Sequence, residues 1–187
     1  PRSTPKPSSA ASDVYKRQDL YRKIANVLQE KGKAYPCYCT DEELEKRREE
    51  ALSQGKPPHY DGRCRNLSTD ERRKLESQGR KPSLRFLVDF ESVSFTDLVR
   101  GQVTFKKGMV GDFILIRSDG MPTYNFACVV DDWAMKITHV IRGEEHLSNT
   151  LRQILLYESL GWQSPQFAHL PLVLGPDRTK LSKRHGA

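Results

Sequence analysis

A chain of 187 residues with 36% apolar content has room for one ordinary domain or two small ones, and it holds no apolar run long enough to span a membrane. The formal charge is +7, of which +3 falls in residues 1–18, where Arg2, Lys6, Lys16 and Arg17 oppose Asp13. The remaining basic excess suits a polyanionic partner without requiring one, and the absence of an apolar segment near the start argues against a secretory signal.

Residues 1–18 are rich in Ser, Pro and Ala with hardly any large apolar side chain, so they are expected to be disordered and foreign to the fold that follows. From Asp19 the apolar positions Leu20, Ile24, Val27 and Leu28 keep helical spacing, and Gly32 is placed to end that helix. Thr40 and Glu43 form a capping-box pattern that opens a highly charged helix ending near Gly55; Ser68 and Glu71 repeat it for a shorter helix closing at Gly79. Between them lies a turn-rich loop, Lys56 to Cys64. The period then changes to alternation at Leu84–Phe90, Val93–Val99, Gln102–Phe105 and Phe113–Arg117, with Asp119-Gly120 as a hairpin turn. This predicts one antiparallel sheet joined to the cysteine loop. After Thr123 the pattern becomes α/β: a buried strand over Ile137–Arg142, a helix over Glu145–Leu160 stopped by Gly161, and a strand over Ala168–Leu174.

Three groups of residues carry chemistry. Cys37, Cys39 and Cys64 are three thiols that one Zn2+ can gather if a fourth ligand is found; the alternative is reduced thiols in a metal-free loop, consistent with cysteines that lack the spacing of a disulfide framework. Arg142 closes an apolar strand, where a guanidinium either grips a ligand carboxylate bidentately or pairs with Asp131 or Glu144. Past the run His169-Leu-Pro-Leu-Val-Leu174, a glycine turn carries Arg178, Lys180, Lys183 and Arg184. Such a loop binds phosphate or is simply solvated.

Lys180-Leu-Ser-Lys-Arg184 resembles the KMSKS signature of class I aminoacyl-tRNA synthetases. Asp119 to Ala127, Val129 to Asp132, Ile137 to Thr150 and His169 to Leu172 resemble, in the same order, the second half of a bacterial glutamyl-tRNA synthetase catalytic domain. The resemblance runs from about Asp19 to Ala187. It implies an α/β fold: the second half of a doubly wound, Rossmann-like domain with an inserted α+β acceptor-binding subdomain. Residues 19–34 would end the first half of the nucleotide-binding fold, 35–122 would be the insertion that holds the tRNA acceptor end, and 123–187 would be the second half, ending at the KMSKS-like loop. The implied reaction is ATP-dependent activation of L-glutamate and its transfer to tRNA(Glu), with Mg2+ on the phosphates, by a cytoplasmic monomer that needs no membrane.

By the same resemblance Arg142 grips the glutamate side-chain carboxylate beside Tyr124, Glu145 and His146 lie at the adenosine, and Lys180 and Lys183 stabilise the leaving pyrophosphate. The related glutamyl-queuosine tRNA(Asp) synthetases place a Tyr where this chain has Tyr60, so the implied zinc set is Cys37, Cys39, Tyr60 and Cys64; Asn66 stands where some relatives have a His ligand. Basic residues of the insertion, Arg63, Arg65, Arg72 and Arg73, either contact tRNA phosphates or form a solvated surface. The HIGH signature is not in this sequence, so the chain is expected to be an internal fragment, inactive alone. A fragment of the queuosine-modifying enzyme and a non-catalytic RNA-binding module are the competing readings.

Overall fold

The computed structural model describes residues 8–172, with side chains from residue 17 onward. Helix α1 (Ser8–Glu30) holds no Pro or Gly and turns Tyr21, Ile24, Ala25 and Leu28 into the core. It starts well before Asp19, so residues 8–18, expected to be disordered, are helical. The prolines stop at Pro7, and the Ser- and Ala-rich stretch that follows has little in it to oppose a helix. Residues 1–7 lie outside the described residues. As expected, Gly32 ends α1: at φ 67° it lets its own N–H reach Gln29 O (2.9 Å) and the Lys33 N–H reach Leu28 O (2.8 Å).

Strands β1 (Ala34–Cys37), β2 (Ser83–Phe86) and β5 (Phe113–Ile116) form an antiparallel sheet in the order β1-β2-β5. Two helices interrupt it, α2 (Asp41–Ser53) and α3 (Thr69–Ser77), and both open on the foreseen capping boxes. Strands β3 (Ser92–Asp97) and β4 (Gly101–Lys106) do not join this sheet, contrary to expectation. They form a hairpin whose first strand runs parallel to β7 (Gln166–Leu170), itself parallel to β6 (His139–Gly143), giving the order β4-β3-β7-β6. Strand β2 ends at Phe86: the Leu87 N–H still reaches Lys33 O (2.9 Å), one rung beyond the β1 pairing, and the Val88 N–H then turns to the Asp112 carboxylate (2.9 Å). Side-chain period specifies strand character but not the partner strand.

The Asp119-Gly120 turn forms, with Gly120 at φ 85°, and leads into α4 (Tyr124–Ala134), a helix the sequence pattern did not single out. Helix α5 (Leu147–Leu160) connects β6 to β7 and buries Leu151, Ile154, Leu155 and Leu156, while Gly161 closes it at φ 74°. Both sheets and α1, α4 and α5 feed one core that includes Leu28, Phe86, Leu115, Phe126, Val129, Leu156 and Phe167. Strand β6, expected to be buried, is the outer strand of its sheet, with Ile141 66% exposed. Among the described residues no helix is long and apolar enough to cross a membrane.

The hairpin is fastened to β7 through Asp97. Its buried carboxylate accepts the Val99 and Arg100 N–H groups (3.0 Å each) and the His169 N–H (3.1 Å) on Oδ1, and on Oδ2 it meets His169 Nδ1 (2.6 Å). Burial pushes the Asp97 pKa up, but these hydrogen bonds outweigh it and hold the group at about 2.

Two outcomes follow from this architecture. Helix α4 ends in the same hydrogen-bonded turn as α1, Lys136 N–H to Trp133 O (3.1 Å) and Ile137 N–H to Asp132 O (2.8 Å), but with Lys136 at φ 57° where glycine is preferred. Lys136→Gly should therefore raise the unfolding free energy by about 0.5–1 kcal/mol, read as a higher urea midpoint at unchanged slope. The depressed Asp97 pKa contributes stability that is present above an unfolded value of 3.8 and lost as pH falls toward 2. In urea unfolding at pH 5 and pH 2, the stability advantage of wild type over Asp97→Asn should shrink by about 2 kcal/mol at the lower pH; a constant difference would show that the carboxylate charge contributes nothing.

Candidate active site and thiol cluster

Strands β6 and β7 end side by side, and the register sets Arg142 opposite His169. The Arg142 guanidinium is held on one edge by three side chains: Nη2 donates to Thr150 Oγ1 (2.6 Å) and Gln153 Oε1 (2.8 Å), and Nε donates to His169 Nε2 (3.3 Å). Thr150, Gln153 and His169 are all buried, and Gln153 is fixed in turn by donating to Asn125 of α4 (3.2 Å). Neither ion pair weighed from sequence forms. Asp131 accepts the Tyr21 hydroxyl (2.8 and 2.9 Å) with Arg17 at 3.8 Å, while Glu144 pairs with Arg100 and accepts the Leu172 N–H (3.3 Å). Among the described residues Arg142 has no carboxylate in salt-bridge range, so its charge is open to an anionic ligand.

Tyr124 opens α4 at the same place, 54% exposed, with its ring 6.4 Å from that of His146. Burial and Cys128 push the Tyr124 pKa up while Arg142 pulls it down, and the net rise keeps the hydroxyl a neutral donor. Glu145 and His146 do not open the helix as expected. They lie in a 3-10 turn, Glu144–His146, and α5 starts at Leu147. The Glu145 carboxylate lies over the Cα of Gly143, where any side chain would collide with it. His146 Nδ1 bonds to Asn149 Nδ2 (3.1 Å). The structure thus gathers Tyr124, Arg142, Glu145 and His146 at one sheet end. Lys180 and Lys183 lie outside the described residues. Asp97, Thr150, Gln153 and His169 were not picked out as site residues, although a His opening an otherwise apolar run was a signal of a buried polar partner.

The thiols also converge. The Cys39 and Cys64 sulfurs are 3.7 Å apart, all three Sγ atoms lie within 4.8 Å of one another, and the Tyr60 hydroxyl stands 3.4 Å from Cys37 and 3.5 Å from Cys39. A tetrahedral zinc with bonds of about 2.3 Å requires thiolates about 3.8 Å apart, so the spacing fits that ion. The Arg85 guanidinium caps the Tyr60 ring at 3.8 Å. Hydrogen bonds from Cys39 and then Cys64 pull the Cys37 pKa far down, those with Cys37 and then Cys64 push Cys39 up, and burial followed by the thiols pushes Tyr60 up. The first proton leaves such a cluster easily; removing more requires a cation. Next to Cys64, Arg65 makes a bidentate pair with the buried Asp112 (2.7 Å on each arm), and Tyr35 donates to the same carboxylate. Arg65 is therefore committed to the fold. Arg63 is drawn to Asp61 (3.2 Å) and Arg73 lies 3.8 Å from Asp70.

A family model described as tRNA synthetases class I (E and Q), catalytic domain, matches residues 7–187. Glutamate–tRNA ligase 1 of Caldicellulosiruptor saccharolyticus is 60% identical over 173 residues, and the glutamate–tRNA ligase of Natranaerobius thermophilus is 57% identical over 171. These matches take in 91% of the chain but 36% and 35% of the relatives, so the chain spans about a third of their length. Among solved structures, a glutamate tRNA ligase from Elizabethkingia meningosepticum in complex with its amino acid superposes with a TM-score of 0.82 at 38% identity, over 92% of this chain and 36% of that one. The glutamate–tRNA synthetase of Elizabethkingia anophelis gives 0.81 at 38%, over 91% and 36%. The match over nearly the whole length shows that the chain belongs to the class I tRNA synthetase (E and Q) catalytic-domain family.

Proposed function

We propose that these residues are part of a glutamate–tRNA ligase and that Arg142 receives the side-chain carboxylate of glutamate. The observation that carries this reading is a guanidinium fixed by three side chains and, among the described residues, with no carboxylate in salt-bridge range, Asp132 acting on it only at a distance. Nη2 and Nε are engaged, so Nη1 is the donor left for the ligand, beside a Tyr124 hydroxyl that also contacts Cys128. Glutamine, with no negative charge on its side chain, is selected against at such a site.

The reaction joins the α-carboxylate of glutamate to the α-phosphate of ATP with loss of pyrophosphate, then passes the acyl group to the 3' end of tRNA(Glu). Neither step needs a protein nucleophile, so catalysis rests on positioning and on stabilising charge. Mg2+ bound with ATP would neutralise phosphate charge. Glu145 and His146 flank the adenosine in this reading, while Lys183, aided by Lys180, meets the leaving pyrophosphate. Cys37, Cys39, Cys64 and Tyr60 would hold a structural zinc that fixes the loop around Cys64. The 187 residues alone are read as inactive, because the resemblance assigns the other part of the ATP site to the HIGH signature, which this sequence does not contain. The enzyme is placed in the cytoplasm and acts as a monomer. Tyr60 beside the thiols is the one observation that favours a queuosine-modifying glutamyl enzyme; transfer of activated glutamate to tRNA(Asp) rather than tRNA(Glu) would establish that reading instead.

Elemental analysis of the purified chain should find up to one zinc per molecule, lost on Cys39→Ser; metal-free protein with unchanged folding would reduce the cluster to three packed thiols. In ATP–pyrophosphate exchange by the full ligase, Arg142→Ala should raise the KM for glutamate and leave that for ATP little changed, whereas Lys183→Ala should lower kcat by about 10²- to 10³-fold. A normal glutamate KM in the Arg142→Ala enzyme would remove Arg142 from the substrate site.

A further inference from the structure

A buried chain of hydrogen bonds leads from the β3–β4 hairpin to the guanidinium, and its proton positions can be worked out from the groups at its two ends. Asp97 Oδ1 takes three backbone N–H groups, those of Val99, Arg100 and His169. Oδ2 is left for His169 Nδ1 at 2.6 Å, and since an ionised carboxylate only accepts, Nδ1 carries the proton. At the other side of the ring, Arg142 Nε–H points at Nε2 (3.3 Å), and arginine only donates. Nε2 must then be bare. Thr150 Oγ1, 2.8 Å from the same nitrogen, accepts from Arg142 Nη2 at 2.6 Å and has one proton to give, to His169 Nε2 or to His146 O (3.2 Å). The Asp97, His169 and Thr150 side chains of this chain are all buried.

We propose that Asp97 and His169 are positioning residues for amino-acid recognition: Asp97 fixes the Nδ1-protonated tautomer of His169, whose bare Nε2, with Thr150 and Gln153, sets the plane of the Arg142 guanidinium so that Nη1 faces the ligand carboxylate. The inference rests on the reading of Arg142 as the carboxylate ligand. It assigns a task in substrate recognition to a hairpin tip that lies on the far side of β7 from Arg142 in the strand order. The tautomer matters because the opposite one would turn an N–H toward Arg142 Nε–H, donor against donor, and push the guanidinium away.

Asp97→Asn tests this sharply. Three backbone donors converge on Oδ1, so the amide oxygen must take that place, and the amide NH2 is then forced toward His169 Nδ1. The hairpin anchor is kept while the tautomer is inverted. In the full ligase, Asp97→Asn should raise the KM for glutamate about tenfold, the effect of losing one buried hydrogen bond, with the KM for ATP unchanged. A merely structural role would move both constants or neither. Thr150→Val, which removes one acceptor without touching the tautomer, should give a smaller rise in the same constant. Independently of any variant, 15N NMR of the wild-type imidazole at neutral pH should show His169 protonated at Nδ1 and bare at Nε2. An Nε2-protonated or doubly protonated ring overturns the proposal, as does an Asp97→Asn enzyme with a normal glutamate KM while Arg142→Ala raises it. If Arg142→Ala itself leaves that KM normal, the reading of Arg142 fails instead.

Discussion

The Asp97 carboxylate joins parts of the chain that are distant in sequence. It closes the turn after β3 through the Val99 and Arg100 amides, holds the His169 backbone on β7, and through the imidazole reaches the arginine at the end of β6. A charge with a side chain this buried is tolerated only when its acceptor capacity is filled, and four donors fill it here. The same filling makes the group directional, since each oxygen has a fixed set of partners and only one proton arrangement satisfies them all. The Arg142 side chain is thereby linked to a hairpin in the other part of the sheet.

A second buried carboxylate does comparable work at the cysteine loop. Asp112 collects both arms of Arg65, the Tyr35 hydroxyl and the Val88 N–H, and so ties the turn carrying Cys64 to the sheet that ends in Cys37. The thiols stand at zinc-like spacing. A metal held there would couple its binding free energy to the folding of this loop.

Much of the local structure was legible in the sequence. Gly32 and Gly161 end their helices, both capping boxes form, and the Asp119-Gly120 turn is where its residues place it, because each depends on a few neighbouring side chains and one backbone angle. Strand partners were not legible. Alternation marked β2, β3 and β4 as strands, but that β3 and β4 leave the first sheet and β3 pairs with β7 is a tertiary contact that side-chain period does not encode. For the site, motif resemblance led to Tyr124, Arg142, Glu145 and His146, which the fold brings together. His169 stood out only as the start of an apolar run and Asp97 not at all, because their pairing spans 72 residues of sequence.

The central claim is that Arg142 acts on the amino acid and that Asp97 acts only through Arg142. A double-mutant cycle on the glutamate KM of the full ligase tests it most directly. If the relay is the route, Asp97→Asn added to Arg142→Ala changes that KM no further than Arg142→Ala alone. Additive effects of the two substitutions would contradict the account and leave Asp97 as a structural anchor with no part in recognition.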